Sequence, residues 1–270
     1  MIDPAVLSRV KRATVALAIV NDGNAQRPFE IIGSGACLDP RGVIVTCRHV
    51  IEGFMANDYH SLVSQYPEIA KTGAETESIV PYALFYDLDS TAGQLRVIAA
   101  RADTSQAHLR FDLGLIRVHP HDHFKGGFPT LTVEPFGDIT EGMDVATCGF
   151  PLGNGMFEQL GTRTSSFTKG MVSSVIPAAS VEERHIQGFQ LDLTATHGNS
   201  GGPVFSTDTG GVLGVIQGGV INARREIVQG FVKAEPVYPM VWDNNLDLFA
   251  RAPNTIDEFL RFREQEGLGS

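Results

Sequence analysis

The residue with the clearest chemical potential in this sequence is Ser200, which lies in the glycine-rich stretch GNSGG of residues 198–202. A serine hydroxyl becomes an effective nucleophile when an adjacent imidazole accepts its proton. The stretch also fits the G-x-S-x-G pattern of α/β-hydrolases, whose catalytic residues follow the chain order serine, acid, histidine. All 8 histidines of this chain precede Ser200, which excludes that class. Two interpretations remain: a nucleophile, or a small residue in a flexible glycine turn.

The candidate partners of this serine are an upstream histidine and an upstream aspartate. His49 follows the apolar run VIVT of residues 43–46, and Asp112 precedes the apolar run LGLI of residues 113–116. In the chain order histidine, aspartate, serine, the imidazole takes the serine proton and the carboxylate orients the imidazole. His49 alone would more often be a buried core histidine, so the matching context of all three residues matters. Other aspartates are available but none begins an apolar run so clearly: Asp87, Asp89 and Asp103.

A framework of short strands is expected to position these residues. Apolar runs rich in Val and Ile alternate with Gly, Pro, Asn and Asp, which indicates an all-β barrel or sandwich and not alternating βαβ units. The runs are Thr14–Val20, Phe29–Leu38, Val43–Thr46, Leu113–Val118, Met143–Gly149, Gly170–Val175, Phe189–Leu193 and Val212–Gln217. The step Asp39–Gly42 predicts a hairpin turn, because proline presets one backbone angle and glycine allows a positive one.

Two segments depart from this strand pattern. Residues 52–80 mix helix formers with polar residues, and we expect an insertion there after a short helix. Near the end of the chain, Thr255 is followed three residues later by Glu258, which predicts a capping box and a C-terminal helix over residues 251–270. Both segments are candidate surfaces for a regulatory protein partner. No repeat or low-complexity linker divides residues 1–250.

The composition excludes several classes of function. The chain has 270 residues, with 31 acidic and 21 basic side chains and a formal net charge of −10. Nucleic acid is an unexpected partner, because its binding depends on Lys and Arg. No apolar run reaches the roughly 18 residues that span a bilayer, so a membrane protein is not expected. Residues 9–20 imitate a signal peptide without its cleavage site, which favours a first strand and a cytoplasmic location.

Metal and disulfide chemistry are not expected. The chain has 3 cysteines without metal-ligand spacing, which disfavours a disulfide-framed secreted domain, although one pair could form. The tract HPHDH of residues 119–123 could bind zinc, but we interpret it as a surface connection. Cys47 lies two residues before His49, where packing is its expected role.

Four ordered stretches carry a specific resemblance. They are GSGACLDPRGVIVTCRHVIEG, FDLGLIRV, CGFPLGNG followed by KGMVSSV, and FQLDLTATHGNSGGPVF. Together they resemble the successive motifs of trypsin-like serine proteases, most closely the HtrA-type branch, over roughly residues 10–240. The resemblance implies a chymotrypsin-type fold of two packed six-stranded β-barrels within residues 1–250, with halves at roughly 1–120 and 121–245. No PDZ-like pattern follows residue 245, so we expect a protease domain without PDZ.

The resemblance also implies roles for individual residues. His49 would be the general base and acid, Asp112 its orienting carboxylate and Ser200 the nucleophile of a serine endopeptidase that needs no metal or cofactor. The backbone N–H groups of Gly198 and Ser200 would form the oxyanion hole. Asn199 cannot pair with a freshly cut N-terminus as an aspartate does in digestive relatives, which argues against zymogen activation through that ion pair.

The same resemblance gives expectations about specificity. Thr194 would form the floor of the substrate pocket, with His197 beside the substrate and the pocket wall at Val215, Ile216 and Gln217. Because the floor carries no carboxylate, we expect small or medium apolar side chains next to the scissile bond, not Lys or Arg. Proteases of this fold can also persist as inactive or partner-activated binding modules, and that alternative stays open.

Overall fold

Two barrels account for most of the described chain. The structure is a computed structural model that describes residues 2–21, 29–54, 79–89, 94–135, 139–155, 164–177, 186–221, 227–241 and 245–251. These residues form twelve strands, arranged as two closed antiparallel barrels of six strands each, together with a few short helices. The predicted all-β, two-barrel fold is confirmed.

The first barrel contains the strands of the first half of the chain. They are β1 (Thr14–Asn21), β2 (Phe29–Asp39), β3 (Val43–Thr46), β4 (Ile79–Asp89), β5 (Gln94–Ala107) and β6 (Gly114–Val118), hydrogen-bonded in the order β1-β2-β3-β6-β5-β4. The predicted hairpin between β2 and β3 is present, since the N–H of Gly42 donates to the Asp39 carbonyl at 2.9 Å and Gly42 has a φ of +86°.

The second barrel repeats this architecture. Its strands are β7 (Asp144–Gly149), β8 (Ser166–Ile176), β9 (Gly188–Leu191), β10 (Pro203–Ser206), β11 (Val212–Ile221) and β12 (Ile227–Pro236), in the order β10-β11-β12-β9-β8-β7. The largest hydrophobic cluster crosses from one barrel to the other: it joins Val15 and Leu115 to Cys148 and Phe205. The barrels therefore pack against each other, and the loops at their junction meet.

Four strands, β4, β5, β10 and β12, are absent from the apolar runs predicted from the sequence. β5 shows why: Ile98 and Ala100 are buried while Arg96 and Arg101 are exposed. A strand with one face in the core and one in solvent alternates apolar and polar residues, so it gives no continuous apolar run.

Four short α-helices accompany the barrels within the described ranges: α1 (Pro4–Ala13), α2 (Arg48–Phe54), α3 (Tyr238–Val241) and α4 (Asn245–Arg251). α2 is the short helix predicted before the insertion, whose residues 55–78 lie outside the described part of the chain. The predicted C-terminal helix over 251–270 also lies outside it, apart from Arg251 at the end of α4. No helix among the described residues is long and apolar enough to cross a membrane.

The N-terminal helix α1 was not predicted from the sequence. Asp3 caps it by accepting a hydrogen bond from the N–H of Ala5 at 2.8 Å, and proline occupies its first turn, where its missing N–H costs nothing. Val10 is buried in the barrel core, and Arg9 donates to the Thr209 carbonyl of the second barrel. α1 therefore connects both barrels on the outside.

Candidate active site

His49 and Asp112 form a hydrogen-bonded pair at the junction of the barrels. His49 lies in the first turn of α2, and Asp112 lies two residues before β6. The Nδ1 atom of His49 is 2.8 Å from Oδ2 of Asp112, and the backbone N–H of His49 donates to Oδ1 at 3.0 Å. A carboxylate only accepts hydrogen bonds, so the pair fixes a proton on Nδ1 and leaves Nε2 of the neutral ring as an acceptor. The Asp112 side chain is 12% exposed and that of His49 is 44% exposed, which leaves the imidazole within reach of a substrate.

The electrostatics of Asp112 fit this orienting role. Burial raises the pKa of Asp112, but the hydrogen bond and charge of His49, aided by a hydrogen bond from the Gln217 side chain, outweigh it and hold the pKa below its usual range. The carboxylate therefore stays ionised where it can stabilise a protonated imidazole.

Ser200 lies on the loop before β10 and is held against β2. The Ser34 N–H of β2 donates to the Ser200 carbonyl at 2.8 Å. A Cβ atom placed on Gly33 would lie 2.7 Å from Val50 and 3.2 Å from the Ser200 carbonyl, so the helix that carries His49 and the serine loop both border this glycine. The Ser200 Oγ donates to the Gln217 carbonyl at 3.1 Å, and no hydrogen bond between described residues joins it to His49.

One carbonyl links the two parts of the site. The Ile216 carbonyl on β11 accepts from the N–H of Gly201 at 2.8 Å and from the Cys47 thiol at 3.1 Å. Gly201 follows the candidate nucleophile and Cys47 comes two residues before the candidate base. β11 thus fixes the two segments relative to each other. Cys47 is fully buried, in agreement with its expected packing role.

The His197–Gly198 peptide group is held by the loop that follows β7. The His197 carbonyl accepts from the N–H of Leu152 at 2.6 Å. In a trans peptide the C=O and N–H groups point in opposite directions, so the Gly198 N–H points away from Leu152. Within the described residues, neither this N–H nor that of Ser200 donates to another backbone group. Two unpaired donors are what a developing oxyanion needs.

Gly198 is required at its position by both conformation and space. Its φ of +91° lies in the region that side-chain-bearing residues rarely adopt. A Cβ atom there would lie 2.1 Å from the Phe150 carbonyl, which is far inside van der Waals contact. Gly198 was predicted from the sequence, and these two constraints are the physical reason for a glycine there.

Ser34 supports the segment of residues 197–200, which carries the predicted oxyanion-hole donors and is named the oxyanion loop. This serine was not identified from the sequence. This fully buried residue donates from Oγ to the Gly198 carbonyl at 2.6 Å, and its Oγ accepts from the N–H of Phe150 at 3.0 Å. It therefore binds the loop of Gly198 to the loop after β7. The available signal was the small polar residue between Gly33 and Gly35 in the otherwise apolar stretch of residues 31–38.

Asn199 is nearly buried beneath the same loop. It is 6% exposed, its carbonyl accepts from the N–H of Gly202 at 2.9 Å, and a Cβ atom on Gly149 would lie 2.9 Å from its Oδ1. The amide thus packs against the end of β7, and its charge-neutral side chain fits this buried setting.

The residues predicted to contact substrate occupy different environments. Thr194 and His197 are exposed on the segment between β9 and β10, and Gln217 is half-buried on β11. Val215 and Ile216 have no exposed surface and lie in the hydrophobic clusters of the barrels. Their contact with a substrate side chain remains a prediction, while Gln217 touches Asp112 and Ser200 directly.

One group of described residues has the donor types of a metal site. Cys47, His49 and Asp112 place their candidate ligand atoms within 4.8 Å of one another. Burial raises the pKa of the Cys47 thiol well above its usual value, and a metal needs the thiolate. In the histidine tract, His119 is 3.8 Å from Asp103 and His123 is 3.4 Å from Asp87, so these side chains pair with separate carboxylates.

Two closed six-stranded barrels with a His–Asp pair and a serine loop at their junction define the chymotrypsin-like class of fold. The model of the trypsin-like peptidase domain matches residues 33–215, more than half of the chain. The chain belongs to the trypsin-like peptidase family.

A plant protein and solved structures of proteases are similar to this chain. Putative protease Do-like 14 of Arabidopsis thaliana is 26% identical over 211 residues, which cover 77% of this chain and 40% of that protein. The structure is similar to that of the HtrA-type protease AlgW with a tripeptide, at a TM-score of 0.53 and 16% identity, covering 91% of this chain and 62% of that one. The crystal structure of Deg5 gives a TM-score of 0.55 at 17% identity, covering 88% and 89%. The chain spans less than half of its curated relative.

Proposed function

We propose that this chain is a serine endopeptidase that cleaves peptide bonds through an acyl-enzyme intermediate. The observation that carries the proposal is the 2.8 Å contact between His49 and Asp112, formed beside the glycine-rich loop of Ser200. Membership of the trypsin-like peptidase family supports it. That family, together with the similarity to a putative Do-like protease, supports a protein or peptide as the substrate.

In the proposed first step, the Ser200 Oγ attacks the carbonyl carbon of the scissile bond while Nε2 of His49 takes its proton. Asp112 stabilises the imidazolium that results, and the N–H groups of Gly198 and Ser200 stabilise the oxyanion. The imidazolium then protonates the leaving amine as the C–N bond breaks. In the second step, a water molecule attacks the ester carbonyl carbon while Nε2 of His49 takes its proton. The imidazolium then returns that proton to the Ser200 Oγ as the ester C–O bond breaks, which releases the acid.

The hydrogen bond from Ser200 to the Gln217 carbonyl defines the resting state in this proposal. The hydroxyl rotates from that acceptor to Nε2 of His49 when a substrate occupies the site. Catalytic hydrogen bonds often tighten only in the substrate complex, so this geometry is compatible with activity. It equally suits the alternative of a partner-activated module, in which a bound protein orders the loop.

The proposed substrate preference is for small or medium apolar side chains before the scissile bond. Thr194 carries no charge that would attract Lys or Arg. The fully buried Ile216 limits the depth of any pocket next to it.

Hydrolysis of a peptide library by the purified chain, compared with Ser200→Ala, tests the proposal. We expect cleavage by the unmodified chain and loss of cleavage in the variant. The new C-termini of the products should be dominated by Ala, Val and similar residues. Cleavage that appears only after addition of a cell extract would support the partner-activated alternative. Cleavage that persists in Ser200→Ala, or that follows mainly Arg and Lys, would contradict the proposed nucleophile or the proposed pocket.

A further inference from the structure

His108 begins the turn that carries Asp112. β5 ends at Ala107 and β6 begins at Gly114, so the candidate carboxylate lies on the short connection between these strands. The N–H of His108 donates to the Leu113 carbonyl at 2.8 Å, which closes the connection into a turn. The position of Asp112 therefore depends on how this turn is held.

The imidazole of His108 stabilises the turn. Its Nδ1 atom accepts hydrogen bonds from the N–H of Arg110 at 3.1 Å and from the N–H of Phe111 at 3.0 Å. The ring of the buried Phe111 packs against the imidazole, with 5.1 Å between the ring centroids. A ring nitrogen accepts hydrogen bonds only while it carries no proton, so these contacts require the neutral imidazole with its proton on Nε2.

The turn is joined at two points to the pair of His49 and Asp112, named the catalytic pair. Phe111 is the residue directly before Asp112, whose Oδ2 lies 2.8 Å from Nδ1 of His49. On the side of α2, Nη1 of Arg48 donates to the His108 carbonyl at 3.2 Å, and Arg48 directly precedes His49. Opening of the turn at His108 would therefore shift the carboxylate relative to the imidazole that it orients.

Protonation of His108 is incompatible with this arrangement. In an imidazolium both ring nitrogens are donors, so Nδ1 would face the N–H groups of Arg110 and Phe111 without accepting from either. The turn must then open to separate these donors. An imidazole ordinarily gains its proton as the pH falls from 8 to 5, so the change lies within the working range of many enzymes.

The charged groups near the turn come from the turn itself and from α2. Besides the catalytic pair they are Arg110 on the turn, Arg48 at the start of α2, and Glu52, which lies 3.6 Å from Arg48. The residues that flank the turn on β5 and β6 are uncharged: Gln106, Ala107, Gly114 and Leu115. Among the described residues, His108 and His49 are therefore the groups near the turn that ordinarily change charge between pH 8 and pH 5.

We propose that His108 is a positioning residue for Asp112 that acts only while its imidazole is neutral, so that its protonation opens the turn and disables the catalytic pair. The catalytic meaning of this inference rests on the proposed function. His49 also stops acting as a base once it is protonated. Two protons, one on each histidine, therefore inactivate the enzyme at low pH.

The test is the pH dependence of kcat/KM between pH 8 and pH 5 for the unmodified chain and for His108→Asn. The asparagine Oδ1 accepts backbone N–H groups in turns but does not titrate. On the acid side, we expect log kcat/KM of the unmodified chain to fall with a slope that approaches two, and that of His108→Asn with a slope of one. His108→Ala, which has no acceptor, should lose about tenfold in kcat/KM at pH 8, and His108→Asn should recover most of that loss.

His121→Asn is the matched control. His121 forms a hydrogen bond of the same kind, since its Nδ1 accepts from the N–H of His123 at 3.1 Å, but it lies in the connection between β6 and β7. Its pH profile should match that of the unmodified chain, including the slope. A merely structural role of His108 would lower kcat/KM in the His108 variants without changing the slope, and that result would overturn the inference.

A second measurement does not depend on activity. In Ser200→Ala, the backbone amides of Phe111 and His49, which donate to His108 and Asp112, should both show an NMR titration step at the midpoint of the His108 ring. The step should be absent when His108→Asn is added. Thermal unfolding establishes that each variant is folded, and His108→Asp, whose carboxylate also accepts N–H groups, serves if His108→Asn is not.

The two proposals fail in different ways. Amides that show no step at the midpoint of the His108 ring would overturn the inference. Amides that show the step in a chain that hydrolyses no peptide would overturn the proposed function alone.

Discussion

Replacement of Ser34 by alanine tests how the oxyanion loop is held. The change removes the acceptor for the Phe150 N–H and the donor to the Gly198 carbonyl, at 3.0 and 2.6 Å. Neither group forms another backbone hydrogen bond within the described residues. An unsatisfied buried polar group costs about 1–3 kcal/mol, so the two together cost about 3 kcal/mol, given that Gly198 is only half-buried.

The effect on catalysis follows from how that free energy is distributed. If all of it disfavours the active form of the loop, kcat/KM falls about 100-fold, since each 1.36 kcal/mol is about tenfold. If a third of it does so and the rest lowers global stability, the loss is about fivefold. We therefore expect Ser34→Ala to reduce kcat/KM by between about 5-fold and 100-fold, with a lower melting temperature.

The assay is hydrolysis of a fluorogenic peptide chosen from the library experiment, together with thermal unfolding. Ser206→Ala is the matched control, because Ser206 is also buried but accepts only a local hydrogen bond from Asp208, at 3.3 Å. Its kcat/KM should stay within about twofold of the unmodified chain, since nothing at the site is left unpaired. The reasoning would be refuted if Ser34→Ala retained full activity, or lost no more than Ser206→Ala.

Three further predictions concern the loop, the thiols and the catalytic carboxylate. Gly198→Ala should lose at least about 100-fold in kcat/KM, because its Cβ would lie 2.1 Å from the Phe150 carbonyl. The control Gly126→Ala should keep its activity, because Gly126 has open space around it. Equal activities of the two variants would contradict this prediction. All three cysteines should resist iodoacetamide in the native chain and react in urea, because they are free and buried. Burial also raises the pKa of the Cys148 thiol to about 12. Fewer than three reactive thiols in urea would reveal a disulfide. Asp112 has a lowered pKa in the fold, so it binds fewer protons there than when unfolded, and its contribution to stability is lost as the pH falls below about 4. In urea titrations, the difference in unfolding free energy between the unmodified chain and Asp112→Asn should be constant from about pH 7 to pH 5 and should shrink as the pH falls below about 4. A difference that stays constant down to the lowest pH would count against this prediction.

The sequence predicts the barrels and names the candidate catalytic residues because both depend on local patterns. β1 is an example: Val15 and Leu17 lie in the main core while Ala16 and Ala18 are buried on the opposite face, so the strand is a continuous apolar run. The family motifs then place His49, Asp112 and Ser200 in order along the chain.

What the sequence does not reveal are contacts between residues far apart in the chain. Ser34 meets Gly198 across 164 positions, and no feature of either segment names the other. Glu235 is similar, since a charged residue two positions from Lys233 in a strand indicates an exposed face, whereas Glu235 is only 3% exposed. The helix α1 was missed because its basic residues and the apolar run after it were interpreted together as the start of a strand.

The most direct test of the account is the site of reaction with a fluorophosphonate, a probe that mimics the acyl intermediate. We predict that the purified chain gains one phosphonyl group, that peptide mass spectrometry places it on Ser200, and that labelling is abolished in Ser200→Ala and slowed at least about 100-fold in His49→Ala. Labelling of a different residue, or labelling at Ser200 that does not depend on His49, would contradict the claim that these residues form a working catalytic site.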